Sequence, residues 1–361
     1  MILDAQRLVR SATKAAIAPF LRWEPLTDPK QGFSLILAAP WALRDILPVN
    51  LRFVAMQDLQ DMDCIYVVFD RPPRREGDAF IDRVSREFSD LPLVFQFHPP
   101  VLGHIVEFVN RSKFYASLSW VTGLSSCRTT YAILHDFDLY PVQADFFQQI
   151  YRTMLDQRLR FSGSEYTHFD GLTDRDALIG TWELGIDVAW LRANHRPADC
   201  FHAVAEINAR RVDLDALSLI QSTTPRRSLA GAVGRHSYAH VRNLCSTYLL
   251  WSAHRPVRVA WRLHYLWYLE FLAGCEARFC EATTAMMELD SPMLTVGGRT
   301  TNYLGVHTTC ASVLRRDLTR METALFGKCR PEVTAYLEAT ESFFLRYGGT
   351  RPLHRVNGAH V

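Results

Sequence analysis

The chain has 361 residues, 48% hydrophobic and 22% charged. It can bury a large core, as one big domain or two closely joined halves. A net charge of +2 gives no case for a general nucleic-acid binder, and eight scattered cysteines with no Cys-x-x-Cys pair argue against a zinc module or disulfide scaffold.

The basic residues are nearly all arginine, with lysine only at Lys14, Lys30, Lys113 and Lys328. Arginine suits bidentate phosphate contacts, although a biased genome composition produces the same excess. The cysteine usage suits a reducing cytosol. No apolar stretch reaches transmembrane length without a charge, and the N-terminus lacks the apolar core of a signal peptide. A cytoplasmic protein is expected on these grounds.

Residues 1 to 22 read as an amphipathic helix with Arg7, Arg10 and Lys14 on one face. A helix packed on the globule is the simpler reading; contact with a membrane surface is the sharper one. Phe33 to Ala39 reads as a strand ended by Pro40, and a helix follows from Val49 to about Leu59. Cys64 to Phe69 is a second strand, Glu76 to Phe88 a helix, and Leu93 to Phe97 a third strand. Val101 to Leu124 is helical with an interruption expected around Gly123. Tyr131 to Leu134 is a fourth strand, and Asp145 to Leu159 a helix. This alternation predicts an α/β fold with an open, mixed, mainly parallel sheet flanked by helices.

Beyond it, Phe161 to His168 and Gly185 to Arg192 read as strands. Tyr238 to Phe279 is largely helical, 284 to 310 irregular, and Leu314 to Tyr347 helical again. The aromatic stripe Trp251, Trp261, Tyr265, Trp267, Tyr268 and Phe271 is most simply helix core. The expected division is an N-terminal helix over 1–30, an α/β half over 31–165, a second half over 166–310, and a helix and tail over 311–361.

The chemistry concentrates where the fourth strand ends, in His135-Asp136-Phe137-Asp138-Leu139. Ligands of open α/β sheets sit beyond the carboxyl ends of strands. Two carboxylates there can hold a hard divalent cation, which grips phosphate oxygens. The spacing alone is weak, since Asp61/Asp63, Asp174/Asp176 and Asp213/Asp215 share it. Only the pair at 136 and 138 follows an apolar strand directly.

In that context the N-terminal half resembles the nucleotide-binding part of GT-A glycosyltransferases. The matched pieces are Leu-Ile-Leu-Ala-Ala-Pro at 35–40, Tyr-Val-Val-Phe-Asp at 66–70, Asn110-Arg111-Ser112-Lys113 and His-Asp-Phe-Asp-Leu at 135–139. They span roughly residues 33 to 200. The resemblance implies an enzyme moving a sugar from a nucleotide-diphosphate sugar, with Mn2+ or Mg2+, to a saccharide, glycolipid or other hydroxyl acceptor. It implies that Ala39 and Pro40 begin the donor pocket and that Asp70 meets the nucleobase or ribose. Arg111 and Lys113 would balance diphosphate charge, and Arg299, beside Gly297-Gly298, would close over the diphosphate. Asp138 would ligate the metal directly, Asp136 would touch the ribose or a metal-bound water, and His307 would be a further metal ligand. An inverting course needs a carboxylate base, for which Glu183, Asp187, Asp213 and Asp215 compete. Two other readings stand beside this one: a non-catalytic binding protein on the same fold, and a phosphatase using the Asp-x-Asp pair as nucleophile. Replacing Asp138 with alanine is expected to leave the fold intact, a strand-end acid contributing little to packing.

Overall fold

The computed structural model describes residues 11–71, 75–109, 112–167, 177–231, 233–255, 257, 260–276, 278–302 and 308–347. It divides into two compact units, each assembled from three stretches of chain. Unit 1 comprises Met1–Ala42, Gln57–Phe137 and Asp145–Arg235; unit 2 comprises Leu43–Met56, Asp138–Ala144 and His236–Val361.

Unit 1 is built on β1 (Lys30–Ala39), β2 (Met62–Phe69), β3 (Leu93–Phe97) and β4 (Thr129–Asp136). Residues 33 to 39 are all buried, as expected of a parallel strand covered on both faces. The one polar side chain within residues 33 to 39, Ser34, is hydrogen-bonded to Thr129 of β4 at 2.9 Å. β1 pairs in parallel with both β2 and β4, and β2 with β3. The sheet therefore grows in one direction through β2 and β3 and in the other through β4. Between β1 and β4 lies the switch point where such sheets take their ligands. Strands β6 (Phe161–Gly163), β9 (Glu183–Asp187) and β12 (Leu229–Gly231) extend it, giving the order β12-β6-β9-β4-β1-β2-β3. β9 runs antiparallel to both β4 and β6, while β12 is parallel to β6, so the sheet is mixed and mainly parallel.

Helices α1 (residues 11–17), α3 (Arg75–Glu87), α4 (Pro100–Val109), α5 (Ser112–Ser126), α6 (Phe146–Gln157), α7 (Val188–Asn194) and α8 (Ser218–Thr223) complete this unit. The break expected at Gly123 is absent: α5 continues to Ser126. A Cβ at Gly123 would lie 2.4 Å from Ile36 Cγ2, so the glycine lets α5 press against β1. The strand expected over Gly185 to Arg192 ends at Asp187. There Oδ1 accepts the Trp190 N–H and caps α7. The strand expected over Phe161 to His168 is split between β6 and β7 (Tyr166–Thr167), which pairs with β8 (Leu178–Ile179). A hairpin of β10 (Ala203–Ile207) and β11 (Arg210–Leu214) turns at Asn208 and Ala209, with φ of 50° and 58°. That is the backbone of a type I′ turn, and alanine in place of glycine conceals it in the sequence.

Unit 2 contains α2 (Leu47–Ala55), an antiparallel pair of β5 (Leu139–Pro141) and β13 (Tyr238–His240), and helices α9 (Leu244–Ser252), α10 (His264–Ala273), α11 (Arg278–Glu288), α12 (Thr308–Phe326) and α13 (Pro331–Tyr347). The region expected to be irregular from 284 holds the end of α11 and a hairpin, β14 (Met293–Val296) with β15 (Arg299–Asn302). Gly297 and Gly298, both at positive φ, make its turn, and threonines fit its strands. The aromatic stripe is core: Trp251, Trp261, Tyr265, Trp267 and Tyr268 are buried. Polar groups are buried with them. Tyr265 donates to Asp317 at 2.8 Å and Tyr268 to Glu322 at 2.9 Å. Arg330 holds Glu322 with its Nε and Nη2, each at 2.8 Å.

Among the described residues no helix is long and apolar enough to cross a membrane.

Candidate metal centre

The centre begins with the ladder of β4. The N–H of Asp136 donates to the Trp182 carbonyl at 2.9 Å, so strand geometry persists to the first aspartate. Across the switch point Ala38 of β1 stands in register with Asp136. Phe137, buried, anchors the turn that follows.

Asp138 is held from several sides. Its carbonyl accepts the Val241 N–H at 2.9 Å. Its Oδ2 accepts the N–H groups of Leu244 at 2.9 Å and Cys245 at 3.3 Å. These are donors of the first turn of α9, which has no acceptor within its own helix. The residue before α9, Asn243, has φ 65° and supplies no side-chain cap, so Asp138 caps the helix from a distance. An anion at a helix N-terminus is favoured by the macrodipole as well. Asp138 is accordingly only 3% exposed. Alanine at 138 would strip α9 of this cap at a cost of about 0.5–2 kcal/mol, so Asp138 adds stability that its strand-end position does not suggest.

With Oδ2 committed, Oδ1 is the oxygen left to a ligand. It stands 3.5 Å from Nε2 of His240, which β13 places opposite Leu139 of β5. Asp136, Asp138 and His240 each offer one ligand atom, all within 4.8 Å of one another. Two carboxylates and an imidazole are an oxygen-rich set with one nitrogen, which suits manganese better than magnesium. Backbone donors that fix a ligating carboxylate are the outer shell such sites need.

The other expected residues are placed as follows. Ala39, Pro40 and Asp70 meet at the same edge of the sheet as Asp136: the Asp70 N–H donates to the Ala39 carbonyl at 3.3 Å. Asp70 Oδ1 accepts the Trp41 N–H at 2.8 Å, and burial raises its carboxyl above the ordinary range. Arg299 is tied to α9, donating to the Ser252 carbonyl at 2.6 Å and lying 5.2 Å over the Trp251 ring. Arg111, His307 and the side chain of Lys113 lie outside the described residues.

The four carboxylates weighed as base each have structural work. Glu183 is fully buried and paired with His135, itself fully buried, beneath the metal motif. This corrects its expected role, since a sealed and paired carboxylate cannot meet an acceptor. Asp187 caps α7 and pairs with Arg160. Asp215 accepts the Ala216 N–H at 3.0 Å. Asp213, half exposed, lies 3.0 Å from the buried His202.

His240 was not anticipated. Nothing in Tyr238-Ala239-His240 marks a ligand, and only its pairing with β5, the strand that follows the aspartates, brings it there.

No protein-family model matches the chain, and no curated protein does. Among solved structures it is similar to galactosyltransferase LgtC in complex with donor and acceptor sugar analogues, at 12% identity and a TM-score of 0.33. That match covers 45% of this chain and spans 60% of LgtC. It is similar to the mannosyltransferase PcManGT from Pyrobaculum calidifontis, in complex with GDP-Man and Mn2+, at 11% identity and a TM-score of 0.35. There 94% of this chain and 81% of the other are covered. A third, the bifunctional glycosyltransferase WbbM, matches at 9% identity and a TM-score of 0.37 over 58% of this chain and 40% of that one.

Proposed function

We propose that the protein is a metal-dependent glycosyltransferase that moves a sugar from a nucleotide-diphosphate sugar to a hydroxyl-bearing acceptor. The observation that carries this reading is the convergence of Asp136, Asp138 and His240 on one point at the carboxyl end of β4, beside the switch point of a parallel sheet.

Asp136, Asp138 and His240 would hold a divalent ion there, and the ion would supply Lewis-acid stabilisation to a departing diphosphate. The nucleoside lies along the edge formed by Ala39, Pro40 and Asp70, where the buried Asp70 presents its carboxylate to ribose or base. In the transfer, the bond between the anomeric carbon and the phosphate oxygen breaks, and its electron pair stays on that oxygen. The acceptor oxygen bonds to the carbon and gives up its proton to a carboxylate base. Of the four carboxylates weighed as base, Asp213 is the exposed one and the first to substitute.

The reading is tested by incubating the protein with UDP-, GDP-, CDP- and ADP-sugars, with manganese or magnesium, and following release of the nucleoside diphosphate. Slow release that depends on manganese is expected even without acceptor. Donor binding with no release under any acceptor would favour the non-catalytic reading. No metal-dependent binding of any nucleotide would sink both.

A further inference from the structure

Among the described residues Arg262 is the one buried arginine, 8% exposed. It lies in the short 3-10 turn Ala260–Leu263, which packs against α9, the helix that Asp138 caps. Its guanidinium sits 5.0 Å over the Trp261 ring. Its Nε–H meets no acceptor, and no carboxylate lies within ion-pair distance of it, among the described residues. Of its nitrogens only Nε is sealed from solvent, so a mostly buried guanidinium whose outer nitrogens remain open, with no carboxylate partner, makes sense when an anion completes it.

The surrounding charges point to where that anion sits. Asp138 is the carboxylate whose charge acts on Arg262, and the Arg242 guanidinium adds a second positive charge to its surroundings. Asp138 does not neutralise Arg262, because its oxygens face the α9 amides and His240. Two metal-bound carboxylates cancel the charge of a divalent ion, leaving the negative diphosphate of a donor without a counter-charge. A planar guanidinium matches phosphate oxygens bidentately.

We propose that Arg262 binds the diphosphate of the nucleotide beside the Asp138 centre and holds the charge that the leaving group gains. This rests on the reading of that centre as a metal–diphosphate site. When the anomeric carbon–oxygen bond breaks, the electron pair remains on the distal phosphate oxygen, and Arg262 donates to that phosphate. Because it favours the separated charge over the intact ester, it contributes to the rate as well as to binding.

The experiment is calorimetric titration of the full chain with inorganic pyrophosphate, UDP and GDP, each with manganese, for wild type, Arg262→Met and Arg262→Gln. Pyrophosphate makes the test independent of the base. Both variants are expected to bind pyrophosphate and the preferred nucleoside diphosphate at least about tenfold more weakly. The unliganded Arg262→Met protein is expected to melt no lower than wild type, because it has lost a lone buried charge. Should the methionine variant fail to fold, Arg262→Gln, which keeps a donor and drops the charge, decides on the same titration. Equal pyrophosphate affinity in wild type and a folded variant overturns the proposal while leaving the metal centre standing. A wild type that binds neither pyrophosphate nor any nucleoside diphosphate with manganese overturns both.

Discussion

Each unit is stabilised internally by different means. Unit 1 is a sheet whose central strands are buried on both faces, and its buried polar groups include pairs such as Ser34 with Thr129 and His135 with Glu183. Among the described residues unit 2 has only two-stranded sheets, and its helices are joined by buried hydroxyl–carboxylate and arginine–carboxylate bonds: Tyr265 to Asp317, Tyr268 to Glu322, Arg330 to Glu322. Apolar packing tolerates a lost atom by partial collapse. A polar network that loses one member leaves a buried charge behind. The units should therefore fail in different ways.

The largest effect is expected at Arg330. Arg330→Met leaves Glu322, which has no exposed side-chain surface, without its counter-charge. Unit 2 should lose about 3–5 kcal/mol. Hydrogen exchange resolved by region should show α10, α12 and α13 opening while β1 and β4 stay protected. Uniform loss of protection across both units would break the comparison.

A smaller effect is expected in unit 1 from Gly123→Ala. The new methyl meets Ile36 at 2.4 Å, so α5 must move off β1 or Ile36 must leave its rotamer. Overpacking of this kind costs about 1–3 kcal/mol. Chemical denaturation followed by exchange at β1 measures it, and a stabilised variant would mean the glycine serves no packing purpose.

The smallest concerns pH. Glu270 accepts the N–H groups of Phe279 at 2.8 Å and Cys280 at 3.2 Å, and burial pushes its carboxyl up to about 7. The unfolded chain titrates near the ordinary 4.5. Between these values the native state holds the proton and the unfolded state does not. Its contribution is therefore complete below the unfolded value and lost as pH rises through 7. His264 of the same helix, driven down to about 3 by burial, acts in the opposite sense below 6.5, so the effect is read as a difference. The melting temperature of Glu270→Gln relative to wild type should rise between pH 5 and 8. A constant difference would show that Glu270 titrates normally.

The contrast also explains what the sequence discloses. In unit 1 the runs 33–39, 64–69, 93–97 and 131–134 are continuous and stopped by proline or aspartate, so strands, order and the place of Asp136 are all legible. What fails there is local. Gly123 reads as a breaker although close packing calls for it, and the Asn208-Ala209 turn carries no glycine. In unit 2 periodicity reveals the aromatic helices but not their partners. Tyr268 lies 54 positions from Glu322, and a bond between them leaves no pattern, nor does the one from Arg330 eight positions on. The site divides along the same line. Asp136 and Asp138 follow a strand and are visible. His240 is not, since its role depends on the pairing of two three-residue strands. Arg262 is one arginine among many until its burial is known.

Asp138→Asn puts the metal centre to the most direct test. Asparagine keeps an oxygen for the Leu244 and Cys245 amides, so α9 stays capped, while the charge a metal needs is gone. Titration with nucleoside diphosphates, with and without manganese, should show metal-dependent binding in wild type and none in the variant, at nearly equal melting temperatures without ligand. The same manganese-dependent affinity in both proteins would contradict the account.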